Sequence, residues 1–244
     1  MSSVTSVNSV NNIGEHPLVT RYMRGVLTKR PSLARYSILW DVSVVLKYLK
    51  TLIPVALLSL KHLTWKLAML LALLTGQRRQ TLHLMDIRYI DVNVNRVRIQ
   101  VLELLKTSKP WKHLPPLVLE KYDSDESVCV FQTMKACLSR IEQYRGKETK
   151  LFITTIKPFK AISRQTLSSW IQKILKIAGI DISKFSPHST RSAAVSSANK
   201  CGVPLDIILK TANWSNEQTF FKFYNKPIDK IEHFNVILND ASKT

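Results

Sequence analysis

The sequence predicts a mainly α fold with one small antiparallel three-stranded β-sheet. Three observations lead there. Apolar residues recur at helical spacing in several stretches, as in Leu60, Leu63, Leu67, Leu70, Leu71 and Leu74. One stretch alternates instead, through Val92, Val94, Val97, Ile99 and Val101. The 244 residues, 45% hydrophobic, are enough for one catalytic-sized domain with its own core.

The elements follow in order. The first dozen residues are rich in Ser, Val and Asn, have no apolar run of the signal-peptide kind, and are expected to be disordered. Residues 16–26 form a short helix carrying Arg21 and Arg24. Thr28-Lys29-Arg30-Pro31 is a basic linker, because Pro31 disfavours the helical conformation at Arg30. Val42, Val45, Leu46, Leu49 and Leu52 mark a helix that Pro54 ends. The Leu-rich helix then runs to Gly76. Lys61, His62 and Lys66 interrupt it, so it lacks the roughly twenty uncharged residues of a membrane span.

Residues 92–101 are read as the first strand, 114–119 as its partner and 151–154 as the third. Pro115 and Pro116 put the second strand at an edge. Lys106-Thr107-Ser108-Lys109-Pro110 is a polar, basic hairpin loop between the first two. Leu167, Trp170, Ile171, Ile174, Leu175 and Ala178 form an amphipathic face, with Ser163 as N-cap and Gly179 as stop. Ser186-Pro187 starts the next helix, with proline at its first position, and Gly202-Val203-Pro204 breaks it. Short helices follow at about residues 205–211 and 217–224, and a tail helix at about 228–238 after Pro227. The expected organisation is a start segment (1–36), a catalytic domain (37–227) and a tail helix (228–244).

Charge narrows the function. Lys and Arg exceed Asp and Glu by 36 to 17, a net charge of +19. A domain this basic repels itself unless it meets a polyanion, and nucleic acid is the commonest one. Cys129, Cys137 and Cys201 form no CxxC pair, which argues against a disulfide framework and a zinc site. They fit a reducing compartment, cytosol or nucleus.

Three clusters carry chemistry. In His188-Ser189-Thr190-Arg191 two basic side chains stand three apart near a helix N-terminus, where free N–H groups and the dipole favour a phosphate. The planar arginine fork grips two phosphate oxygens, and histidine moves protons near neutral pH. Thr75-Gly76-Gln77-Arg78 places an arginine directly after a glycine helix stop. The stretch from Trp214 to Tyr224 is aromatic, but Tyr224 borders the polar Asn225-Lys226, and a phenol attacks phosphorus once its proton is taken. Taken singly, each cluster has a bland reading: a surface pair, a helix cap, a core segment.

In order, these clusters resemble the tyrosine recombinase (phage integrase) family. That pattern is an arginine after Thr-Gly, a hairpin lysine, His-x-x-Arg, His or Trp, then a tyrosine. The matching residues are Arg78, Lys106, His188, Arg191, Trp214 and Tyr224. The wording Leu-Thr-Gly-Gln-Arg and Asn-Trp-Ser-Asn-Glu-Gln-Thr-Phe-Phe-Lys-Phe-Tyr is most similar to recombinases of eukaryotic mobile elements of the Crypton and DIRS type.

The resemblance implies the DNA breaking-rejoining enzyme fold and site-specific recombination through a 3′-phosphotyrosyl link to Tyr224. Arg78 and Arg191 would hold the phosphate oxygens and Lys106 would protonate the leaving 5′-hydroxyl. His188 would assist proton transfer, and Trp214 would donate its indole N–H. Arg79, Lys109, Lys112 and Arg164 are expected to touch DNA, and Lys109 competes with Lys106 for the hairpin role. No metal or other cofactor is implied. The implied partners are double-stranded DNA and further copies of the chain, up to a tetramer, with the tail helix as one means of contact.

The chain departs from the family pattern at several points. Thr81 stands where bacterial members carry an acidic residue, and Asn213 where many carry glycine. The nine-residue spacing common after the tryptophan falls on Phe223, which has no hydroxyl, so Tyr224 is taken instead. Only about 36 residues precede the catalytic part, enough for the last helix of a core-binding domain. A shortened copy should bind DNA weakly and with steep salt dependence. The alternative function is a catalytically inactive or truncated DNA-binding module derived from such a recombinase.

Overall fold

A computed structural model describes residues 13–30, 36–103, 114–214 and 217–229. The chain divides into two units, residues 1–35 and 36–244. In the first, α1 (Pro17–Lys29) is capped by His16, whose Nδ1 accepts the Leu18 N–H at 3.3 Å. It ends at Lys29, three residues beyond the expected boundary, with Arg30 as C-cap.

The second unit opens on a two-residue strand, β1 (Leu39–Trp40), then α2 (Val42–Thr51) capped by Asp41. The Leu-rich segment forms α3 (Leu60–Thr75), with Ser59 as N-cap. Most of its leucines are enclosed: Leu63, Leu67, Leu70 and Leu71 are fully buried, and only Leu74 is largely exposed. A helix apolar around most of its circumference belongs in the centre, and α3 packs against three later helices, α5 (Val130–Arg145), α6 (Arg164–Ile177) and α7 (Ser189–Lys200). A short α4 (Arg79–His83) follows at once.

The three-stranded sheet exists, with a different assignment. β2 (Ile90–Val92), β3 (Arg96–Ile99) and β4 (Leu117–Glu120) lie in that order, all antiparallel. Residues 92–101, expected as one strand, are a hairpin arm and its turn: Ile90 pairs with Ile99 and Val92 with Val97. Asn93 and Asn95 make the turn, with Asn93 N–H donating to Arg96 at 2.9 Å. The expected third strand does not join the sheet. Leu151, Phe152 and Ile153 are buried consecutively, without the alternation of a sheet face. Ile153 forms only an isolated bridge, to Ala161.

The expectations also omitted α5 (Val130–Arg145), although Val130, Phe131, Met134, Cys137 and Ile141 bury its inner face. Next is α6 (Arg164–Ile177), where Ser163 accepts the Thr166 N–H at 3.0 Å, as expected of the cap. α7 (Ser189–Lys200) starts later than Ser186-Pro187 suggested. The Ser186 carbonyl accepts both Ser189 N–H (2.8 Å) and Ser189 Oγ–H (2.7 Å), closing a turn before the helix. His188 is therefore the N-cap residue, not a first-turn residue. α8 (Leu205–Ala212) and α9 (Glu217–Phe223) complete the helices.

The expected tail helix does not begin at Ile228. Ile228–Asp229 form β5, parallel to β1, with Leu39 opposite Ile228 and Leu39 N–H on the Pro227 carbonyl at 2.8 Å. Extended backbone after Pro227 finds partners on β1 that a helix would not use. The rest of the expected tail lies outside the described residues.

Candidate functional site

The end of α3 fixes the first arginine. Gly76 takes φ 55°, and a Cβ there would sit 2.9 Å from Val195 Cγ1. Glycine is thus required twice, by the left-handed backbone and by the close approach of α7. Thr75 Oγ donates back to the Leu71 carbonyl at 2.6 Å and accepts the Gln77 N–H at 3.3 Å. Gln77 is buried, and its side-chain amide donates to the Thr211 carbonyl at the end of α8. Arg78 follows as the half-buried N-cap residue of α4, and Arg79 reaches Ser168 Oγ on α6.

The second arginine is held from the same ledge. Arg191, only 3% exposed, donates from Nη2 to the Ala212 carbonyl at 2.7 Å. Adjacent carbonyls of the last turn of α8 therefore anchor the segments carrying Arg78 and Arg191. After Ala212 the chain turns through Asn213, at φ 55° and ψ 54°, and Trp214 N–H caps back onto Leu209 at 2.9 Å. The left-handed conformation explains why asparagine serves where glycine is usual: it is the side-chain-bearing residue most tolerant of that region.

The aromatic residues then close on Arg191. Its Cζ lies 4.5 Å from the Trp214 ring centroid and 5.7 Å from that of Tyr224, and the two rings are 4.3 Å apart. Burial lowers the Arg191 pKa to about 10; repulsion from Arg78 adds to this, and Tyr224 opposes it. Its Nε and Nη1 have no hydrogen-bond partner among the described residues, nor do the buried Trp214 Nε1 and Thr190 Oγ. Such clustered buried donors are costly unless an acceptor meets them. An anion with several oxygens fits this donor set, and the positive charge of Arg78 and Arg191 supplies the attraction.

A basin of about 550 Å³ opens over the same region, lined by Arg78, Arg79, Gln80, Ser163, Arg164, Gln165 and His188. Two expected catalytic residues and two expected DNA contacts thus share one wall. A small crevice lined in part by Gln77, Arg79, His188, Thr190 and Arg191 lies between Arg191 and that group. The approach to α7 is steadied from β1 and the residues just before it: Trp40 Nε1 donates to Ser189 Oγ at 2.8 Å, and the Tyr36 and Ser186 hydroxyls are 2.7 Å apart.

Tyr224 touches Trp214 and Arg191 but is not part of the basin lining. Lys106, Lys109 and Lys112 lie outside the described residues. Thr81, at the position of the bacterial acidic residue, is buried. No cluster of three or more His, Cys, Asp or Glu able to hold a metal occurs among the described residues. No helix among them is long and apolar enough to cross a membrane. Gln77 escaped the sequence reading. Its partner Thr211 is 134 residues away, and no local pattern announces the contact.

A family model described as the phage integrase family matches residues 45–230. Comparison with curated proteins gave no match. Among solved structures, the XerH site-specific recombinase bound to difH substrate, in a pre-cleavage complex, is similar with a TM-score of 0.58 and 15% identity, over 85% of this chain and 53% of that one. XerA recombinase gives 0.57 and 14%, over 88% and 66%. A lambda integrase dimer bound to a COC′ core site gives 0.52 and 15%, over 88% and 59%. These likenesses establish a shared fold. The chain spans about half the length of the XerH chain.

Proposed function

The chain belongs to the phage integrase family, and on that premise we propose that it breaks and rejoins duplex DNA at specific sites through a covalent link to Tyr224. The observation that carries the proposal is Arg191: a buried guanidinium with unpartnered nitrogens, stacked beside Trp214 and the Tyr224 phenol, and sharing its surroundings with Arg78.

The chemistry balances as follows. The Tyr224 oxygen attacks the scissile phosphorus, the P–O bond to the 5′ carbon's oxygen breaks, and a 3′-phosphotyrosine remains. Arg78 and Arg191 hold the non-bridging oxygens and stabilise the extra negative charge of the transition state. Trp214 Nε1 is a further donor to the phosphate, and His188 assists proton transfer at it. Lys106 gives its proton to the leaving 5′-hydroxyl. Phosphotyrosine preserves the energy of the broken bond, so a second 5′-hydroxyl rejoins without ATP. Arginine charge takes the part that metal ions play in two-metal nucleases, so the reaction needs no metal.

Arg79 and Arg164, on the basin wall, grip the phosphates alongside, and Lys109 and Lys112 extend the contact from the hairpin. We place the chain with Crypton- and DIRS-type recombinases of mobile elements on its motif wording. We place its action in the nucleus or cytosol on its three free cysteines. Assembly is proposed as a tetramer on two duplexes, as the family resemblance implies; the similarly folded lambda integrase forms a dimer on its core site.

The test is a covalent adduct. The protein is incubated with a pool of nicked duplexes and denatured, and DNA-linked protein is scored for wild type, Tyr224→Phe and Arg191→Ala. An adduct that disappears in Tyr224→Phe supports the proposal. An adduct that persists there removes Tyr224 as nucleophile. DNA binding without any adduct favours a module that binds and does not cut.

A further inference from the structure

We propose that Ser196 is a positioning residue for the Tyr224 nucleophile, clamping the main chain on both sides of it; this rests on the strand-transfer reading above. Tyr224 sits just past the C-terminus of α9, where backbone carbonyls lack helical partners and helices fray first. A nucleophile in such a place needs outside support, because attack on phosphorus depends on sub-ångström placement.

Ser196 provides it. It lies on α7, five residues after Arg191, and is completely buried. Its hydroxyl donates to the Tyr224 carbonyl and accepts the Lys226 N–H at 3.4 Å. A serine within a helix ordinarily bonds back to its own preceding turn. This one spends its hydroxyl on a segment 28 residues away. The same helix therefore carries the phosphate-gripping Arg191 and the group that fixes the tyrosine backbone. Two neighbouring restraints act on the same segment. Tyr224 N–H and Asn225 N–H both bond the Phe220 carbonyl, at 2.8 and 2.9 Å, and Pro227 is tied to Leu39 on β1. None of these sets the distance between Tyr224 and α7 directly, whereas Ser196 does.

Removing the hydroxyl should not unfold the protein. Lys226 N–H also donates to the Tyr224 carbonyl at 2.9 Å, so that carbonyl keeps a partner in Ser196→Ala. Alanine is also the best helix former.

The test has two arms. Amide hydrogen exchange is followed in wild type, Ser196→Ala and Ser196→Thr. The Lys226 amide keeps the Tyr224 carbonyl as acceptor but loses Ser196 and the clamp on that carbonyl, so it should exchange about threefold faster in Ser196→Ala, while α3 and α6 amides are unchanged and Ser196→Thr restores protection. Adduct formation on the nicked-duplex pool should slow about tenfold or more in Ser196→Ala, with binding of the same pool unchanged and Ser196→Thr rescuing the rate. Unchanged exchange at Lys226 would overturn the clamp. Faster exchange with an undiminished adduct rate would overturn the positioning role. If wild type forms no adduct while the Lys226 amide still responds to Ser196→Ala, the strand-transfer reading fails and the clamp stands.

Discussion

Gly76 and Asn213 both lie at positive φ, yet they tolerate change differently. Gly76→Ala combines a left-handed alanine with a Cβ 2.9 Å from Val195. It should cost about 2–3 kcal/mol, seen as a lower Tm, and α7 should shift with it. Asn213→Gly should stay within about 0.5 kcal/mol of wild type, whereas a β-branched Asn213→Val should cost about 1–2 kcal/mol. Equal losses in both Asn213 variants would mean that the Asn213 side chain matters beyond its backbone. Gly76 was legible in the sequence, because glycine after a Leu-rich helix has one common meaning. Asn213 looked like a departure from the family pattern until its conformation was known. Lys66 illustrates a third kind of residue. It is fully buried on α3, donates to the Leu52 carbonyl at 2.6 Å, and burial lowers its pKa to about 8. The unfolded chain keeps that proton to a higher pH, so between about pH 8 and pH 10 the unfolded state binds more protons and stability rises with pH. Urea titrations should show about 1–2 kcal/mol more stability gained over that window by wild type than by Lys66→Met. Identical pH profiles would mean that Lys66 is solvated. Comparing the two proteins removes the opposite trend from Cys137, whose thiol burial pushes up to about 12.

Elements were legible where one physical signal dominated. α3 and α6 carry strong apolar periodicity together with caps, and both were located within a few residues. α5 was missed although its buried positions repeat at helical spacing, because Cys129 caps it without a side-chain hydrogen bond and no sharp start signal precedes it. The sheet was recognised but misassigned, since alternation continues through the Asn93–Asn95 turn and so hides it. The buried run at 151–153 has strand composition, yet it bonds the segments around Met85 and Ile162. The base of the sheet also depends on a residue that composition does not reveal. Asp86 accepts Arg88 Nε at 2.9 Å and Nη2 at 2.8 Å, and Thr149 Oγ at 2.8 Å. Chiefly the Arg88 bond lowers its pKa to about 2. A depressed carboxylate stabilises the fold above its unfolded pKa and loses that contribution as pH falls through the folded value. Asp86→Asn should therefore cost about 1 kcal/mol near neutrality, allowing for solvent screening at the exposed Arg88. The gap should close as the pH approaches about 2. A gap that persists at low pH would assign the loss to packing.

At the scale of the whole molecule, charge and site point the same way. The excess of 36 basic over 17 acidic residues is not in itself a binding surface. The fold does gather Arg78, Arg79, Arg164 and His188 around one basin, whose lining among the described residues includes no acidic side chain. The order of Arg78, His188, Arg191, Trp214 and Tyr224 was readable along the sequence. Their convergence was not, because it depends on the α8 carbonyls of Thr211 and Ala212, which hold two segments far apart in the chain. If this basin is the phosphate-gripping face, each phosphate contact releases counterions, and the logarithm of affinity falls with the logarithm of salt by about 0.9 per contact. Arg164→Ala should lower that slope by about 1 and weaken binding similarly for all duplex sequences, since phosphate contacts carry little base information. Arg191→Ala should behave differently. Arg191 is buried and anchors on Ala212, so its loss should suppress adduct formation far more than it changes the salt slope. Fluorescence anisotropy with one labelled duplex between about 50 and 200 mM salt separates the two arginines. Equal slope changes would place both on the same outer surface. A changed slope for Arg164→Ala alone would divide the site into a wall that holds the DNA backbone and a buried centre that acts on one phosphate.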